Sequence, residues 1–306
     1  MGDLRQSVPA SVRRRHLRRT FDARIDREWG RYAGEPRRVL VRHLRERFLR
    51  QHLSYGPGVV LELGPGPGRF SSTILGLSRG PLLAIDLSRE VLRRGQRRLG
   101  GDPRRRRVSW IQGAGEHLPL QDRSVGTAVV LGNIVCFAGT DGPRLLREIA
   151  RVVRPGGTLV ADFASPAAAT QEFFEVVSRR RQLRRILRRP EFYLIHQILD
   201  SGYQPYLPRR LAAWEFQFYT VDSARQALVR AGFRVRDAMA VGAVGWTVGR
   251  IAASARREPR TWENLLRIEE RIGRRPGALE TGHGFLVAAT RAARRRREPR
   301  TLPTKP

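Results

Sequence analysis

Apolar residues along the chain change period several times, and each change marks an element. From Phe21 to His52 they recur at three and four residues, first Phe21, Ile25, Trp29 and Tyr32, then Val39, Leu40, Leu44, Phe48 and Leu53. This is helical spacing, and Pro36 divides it into two helices. Short apolar runs then alternate with helical ones. Strands are expected at 59–63, 82–86, 108–112, 126–131 and 158–163, with helices at 69–77, 88–99 and 143–153 between them. Ser88 is a natural N-cap for the second of these helices. Pro155-Gly-Gly157 and Gly100-Gly-Asp-Pro103 read as turns. Strands alternating with helices imply an α/β fold, a doubly wound, Rossmann-like sheet of seven mostly parallel strands. Asp222–Ala231 is expected as a further helix, Phe233–Val241 and Gly284–Thr290 as the sixth and seventh strands.

Between them the alternation lapses. Gln171 to Arg189 is helical in pattern, with seven arginines from Arg179 onward, and an aromatic patch follows: Phe192, Tyr193, Tyr203, Tyr206 and Trp214. The expected organisation is a basic arm (1–20), a helical cap (21–55), a nucleotide-binding core (56–164), a helical and aromatic insertion after the fifth strand (165–213), the rest of the core (214–291) and a disordered basic tail (292–306).

The chemistry centres on Val59-Val-Leu-Glu-Leu-Gly-Pro-Gly-Pro-Gly-Arg-Phe70. A strand breaks into Gly64, Gly66 and Gly68, and a helix begins: a nucleotide-binding corner. A dinucleotide corner spaces its glycines G-x-G-x-x-G and turns backbone N–H groups to a pyrophosphate. Here the spacing is G-x-G-x-G, and Pro65 and Pro67 have no N–H to give. Asp86 ends the next strand, eighteen residues past Gly68. A carboxylate there accepts hydrogen bonds from ribose hydroxyls and repels a 2′-phosphate. An adenosine ligand without phosphates fits best, namely S-adenosylmethionine.

These residues resemble the first two motifs of the class I S-adenosylmethionine-dependent methyltransferases. Gly113-Ala-Gly-Glu-His-Leu-Pro-Leu120 and Glu148-Ile-Ala-Arg-Val-Val-Arg-Pro-Gly-Gly157 are similar to the type 11 branch, which includes quinone-biosynthesis and small-molecule enzymes. The resemblance implies cofactor contacts from Glu62, Gly64, Gly66, Gly68, Asp86, Leu87, Ala114, Gly115 and Asn133. Ala114 stands where family members commonly carry aspartate. The helical pair before the core would cover the cofactor, placing Tyr32 near the methyl group. The insertion would form a substrate lid, making His196 a candidate base, with His117 and His283 behind it. The expected acceptor is a small organic molecule, isoprenoid or quinone-like.

Composition adds a second question. The net charge is +31, and lysine occurs once, at Lys305, so the other 58 basic residues are arginine. Spread along the whole chain, they read as compositional bias, yet they leave an RNA or an anionic membrane surface open as partner. RNA methylation and an inactive cofactor-binding module are the competing readings. The segment Gly132-Asn-Ile-Val-Cys-Phe137 lacks the paired prolines of base-amino methyltransferases. Cys136, the single cysteine, does not sit in the Pro-Cys context of a C5-methylating nucleophile. No Cys/His cluster has metal-ligand spacing, so no metal is expected. One cysteine and no membrane-length apolar run suggest a cytoplasmic protein, if not one peripheral to the membrane.

Overall fold

A computed structural model describes residues 9–53, 56–178, 190–205, 214–244 and 249–293. The arginine-rich stretch 179–189, Tyr206 and the tail from Arg294 lie outside the described residues, as do the side chains of Ile25, Trp29, Tyr32, Phe192 and Tyr193.

Two helices precede the sheet, α1 (Ala10–Gly34) and α2 (Pro36–His52). Pro36 opens α2, where the missing N–H costs nothing. The expected basic arm is corrected here: residues 10–20 are the first half of α1, and Arg13 and Leu17 within it are buried. The core then runs β1 (Val60–Leu63), α3 (Ser71–Leu77), β2 (Leu82–Asp86), α4 (Arg89–Arg98), β3 (Val108–Gln112), β4 (Val125–Val130), α5 (Ile134–Phe137), α6 (Gly142–Val152) and β5 (Val153–Ala164). Ser88 caps α4, its hydroxyl accepting from the Val91 N–H at 3.0 Å. The insertion contains α7 (Pro166–Ser178), α8 (Pro190–Ser201) and β6 (Tyr203–Gln204), which forms a small hairpin with β7 (Phe216–Gln217) just beyond it. The chain continues through α9 (Val221–Ala231), β8 (Phe233–Val241), α10 (Gly249–Ala255), α11 (Pro259–Gly273), α12 (Pro276–Thr281) and β9 (Gly284–Arg291).

The seven strands lie in the order β3-β2-β1-β4-β5-β9-β8. Neighbours from β3 to β5 are parallel, while β9 runs antiparallel to both β5 and β8. The turn expected at Pro155-Gly-Gly157 is absorbed into β5 as a bulge. Val125 pairs with Val153 and Thr127 with Thr158, so two steps on β4 oppose five on β5, and Gly156 takes φ 77°. Helices cover both faces, as alternating side chains of one strand demand. Leu61, Leu63, Ala128, Val130, Leu159 and Phe163 pack toward α5, α6 and α9. Val60, Leu82, Val129, Val160 and Leu286 pack toward α2, α3 and α11. The carboxyl ends of β1, β2, β4 and β5 are left facing one crevice, roofed by α1 and the β6–β7 hairpin.

Candidate functional site

The glycine corner spends its own donors. The Gly64 N–H donates to the Ile85 carbonyl at 2.8 Å, the Gly68 N–H to the Pro65 carbonyl at 3.1 Å, and the Gly66 N–H to the Asp86 carboxylate. With prolines at 65 and 67, no N–H from 64 to 68 remains for a phosphate. The three glycines do different jobs. Gly64 (φ 68°) admits the Ile134 side chain, whose Cδ1 would lie 2.3 Å from an added Cβ. Gly66 (φ 55°) faces open space on the cavity side. Gly68 (φ 79°) is turned toward α4, an added Cβ meeting Gly95 Cα at 3.4 Å, and its neighbours Pro67 and Arg69 line the cavity.

Glu62 also stands behind the loop. It is buried and accepts a 2.6 Å hydrogen bond from the Ser71 hydroxyl, tying β1 to the start of α3. Burial pushes its carboxyl up to about 7, against the Ser71 bond and with help from the Asp86 charge. Asp86 does line the cavity. Its carboxylate accepts from the Ser88 N–H at 2.9 Å. Burial raises it to about 6, partly offset by backbone donors from Ser88, Gly66 and Leu87, with the Asp22 charge adding to the rise. Leu87 lies beside it on the cavity wall.

Gly113, Gly115 and Glu116 line the next edge, but Ala114 does not. It is drawn into an isolated bridge with His117, its carbonyl accepting the His117 N–H at 3.1 Å. Asn133 lines the cavity in a left-handed conformation, φ 61°. Asp162 fixes that corner, accepting the Asn133 N–H at 2.7 Å and the Gly132 N–H at 3.1 Å while Arg45 of α2 pairs with it. The pairing of Arg45 with a strand-end acid more than a hundred residues away carries no local sequence signal.

The catalytic candidates fare differently. His196 is exposed on α8 and does not line the cavity, so the structure does not bring it to the site. Tyr32 belongs to α1, its side chain outside those described. His283, ranked behind them, does line the cavity. Burial, Arg38, Arg45 and Arg37 push its imidazole down to about 3, so it is neutral.

The cavity has a volume of about 430 Å³. Beside the glycine corner its wall is aromatic. Phe137 meets Phe21 of α1 edge-on at 5.3 Å, Trp214 at 5.8 Å and Phe216 at 4.9 Å, and Phe216 meets Phe218 at 4.7 Å. These contacts join the cap, the end of α5 and the hairpin around one space. No group of His, Cys, Asp and Glu suited to a metal occurs among the described residues.

A carboxylate at the carboxyl end of β2, a bare-backbone glycine beside it and a corner with no donor for phosphate fit adenosine carried on a sulfonium. The chain belongs to the class I S-adenosylmethionine-dependent methyltransferases, and its cofactor is S-adenosylmethionine. A methyltransferase-domain family profile matches residues 61–161. Malonyl-[acyl-carrier protein] O-methyltransferase of Pectobacterium atrosepticum is 30% identical over 185 residues, 60% of this chain and 67% of that protein. Demethylmenaquinone methyltransferase of Clavibacter sepedonicus is 33% identical over 111 residues, 35% of this chain and 42% of that protein. The complex of the Haloferax volcanii Trm112 methyltransferase activator with a methyltransferase has a chain that superposes with a TM-score of 0.58. That match is 18% identical and covers 91% of this chain and 99% of that one, a likeness of fold.

Proposed function

We propose that the protein methylates a small organic acceptor with an apolar, isoprenoid or quinone-like body, bound in the same cavity as the cofactor. The aromatic wall of Phe21, Phe137, Trp214 and Phe216 carries this reading, because it lines the same cavity as the glycine corner. When bound, S-adenosylmethionine supplies an activated methyl group on sulfur. The chain's residues then have three tasks. Asp86 accepts the ribose hydroxyls, and Leu87, Gly115 and Asn133 bound the pocket around it. Gly66 keeps bare backbone against the ligand. The aromatic wall excludes water and holds the acceptor in line at about 3–3.5 Å from the methyl carbon.

Proton removal is a minor task here. His283 is the imidazole at the cavity, and a group held at about 3 is a poor general base at neutral pH. An acceptor that ionises readily, or reacts without losing a proton first, suits this site. Supplying purified protein with methyl-labelled S-adenosylmethionine and cell extract tests the reading. Label is expected in the lipid and small-molecule fractions. Label in RNA or protein alone overturns it.

A further inference from the structure

Two arginines of α1, Arg18 and Arg24, line the cavity, while the helix's described acids are engaged at α4 and its cap. Asp22 hydrogen-bonds the hydroxyl of Ser88, the cap of α4, and Asp26 pairs with Arg94 at 2.9 Å and Arg98 at 3.6 Å, both on α4. Leu17, Phe21 and Arg24, spaced four and three residues apart, face the cavity, with Arg18 at its rim. The Arg24 guanidinium stacks over the Trp214 ring, 5.2 Å from its centroid. Neither Arg18 nor Arg24 makes an ion pair among the described residues.

Two other arginines of the cavity wall are paired with acids. Arg38 pairs with Glu35 at 2.8 Å and Arg45 with Asp162. The acids of the cavity wall are Asp86 and Glu116, beside the glycine corner and the 113–116 edge, and Glu172, which lies 3.8 Å from His283. Arg24 thus places a positive charge over Trp214 at the aromatic end of the cavity, with guanidinium donors suited to a planar or tetrahedral anion.

We infer that the acceptor is an amphipathic organic anion, its apolar body against Phe137, Trp214 and Phe216 and its carboxylate or phosphate on Arg24, with Arg18 at the entrance. The inference rests on the methyl-transfer reading only for the word acceptor; the anion subsite itself is a statement about binding. A guanidinium held against an indole is fixed in place before the ligand arrives, so the head group meets an ordered donor pair.

Calorimetry on the full chain saturated with S-adenosylhomocysteine separates the sources of the anion. Farnesyl phosphate, farnesoate and farnesol share one tail and differ in head group. At least one of the two anions is expected to bind ten times more tightly than the alcohol or better, and whichever does identifies the head group. Arg24→Gln is expected to remove that margin while leaving the affinity for S-adenosylhomocysteine within twofold. Equal affinities for anions and alcohol, or no binding of either anion, overturn the subsite. A parallel loss of S-adenosylhomocysteine affinity in Arg24→Gln also overturns it, since the guanidinium would then hold the cofactor's own carboxylate. Failure of S-adenosylhomocysteine to bind the unaltered protein is a different result, and it counts against the methyltransferase reading.

Discussion

In the proposed role Asp86 accepts ribose hydroxyls as a carboxylate, and burial raises its carboxyl to about 6 in the unliganded protein. The sign follows from linkage. The folded value lies above the ordinary 3.8, so the folded protein binds the extra proton and its stability falls as pH rises from about 4 to 6. Cofactor binding draws on the ionised form, so affinity is expected to rise with pH, up to about tenfold per unit below pH 6, and to level off above it. Asp86→Ala should weaken binding by roughly 1–3 kcal/mol at pH 7.5, the scale of a charged hydrogen bond. Calorimetry from pH 5 to 8 on both proteins checks this, and the variant's profile should lose the Asp86 contribution. The place of Asp86 on the cavity wall was legible because strand end, acid and glycine corner are all local. The turning of Gly68 and Ala114 was not, because which way a loop residue turns depends on what packs behind it: Gly95 of α4 in one case, the His117 bridge in the other.

The element that sequence reading undervalued is α1. Its first half has few apolar positions, so hydrophobic period alone stopped the helix at Phe21. What fixes residues 10–20 is a buried ionic knot. Arg13 pairs with Asp141 and, at 3.0 Å, with Glu215, whose Oε1 accepts the Thr140 N–H at 3.1 Å. Its partners lie 128 and 202 residues further along the chain, a separation no local pattern reveals. Removing Arg13 leaves the Glu215 carboxylate, 1% exposed, without its cation. Arg13→Ala is therefore expected to cost about 3–5 kcal/mol in urea unfolding. The triple change Arg13→Met, Asp141→Asn, Glu215→Gln should recover part of that loss, because it removes the charges together. The alternating core elements, by contrast, were readable nearly to the residue, since each is a short apolar run closed by Gly, Pro or a cap. The bulge at 154–157 and the three helices between β8 and β9 escaped: the first is a matter of pairing, the second of arginine-rich faces that mask the apolar stripe.

For the whole molecule, the corner's missing phosphate donors make a choice between nucleotides. At a hundredfold excess over its dissociation constant a ligand adds about 2.7 kcal/mol, so S-adenosylhomocysteine should raise the melting temperature by roughly 5 °C. NAD at the same concentration should leave it unchanged, which differential scanning calorimetry decides. The sheet order has a consequence in time as well as in space. β9 is the last strand in chain order, yet it sits inside the sheet, between β5 and β8. A chain still being synthesised has β1 to β5 ready to pair in succession, but β8 finds no neighbour until residues 284–291 emerge. Until then β5 and β8 both present unpaired edges, the form in which sheets stick to one another. The same late strand is preceded directly by His283 at the cavity wall, so that side chain, although made first, is set in place only as β9 pairs. For this fold, the vulnerable interval is the one just before β9 is made, and that is when a chaperone would have most to do.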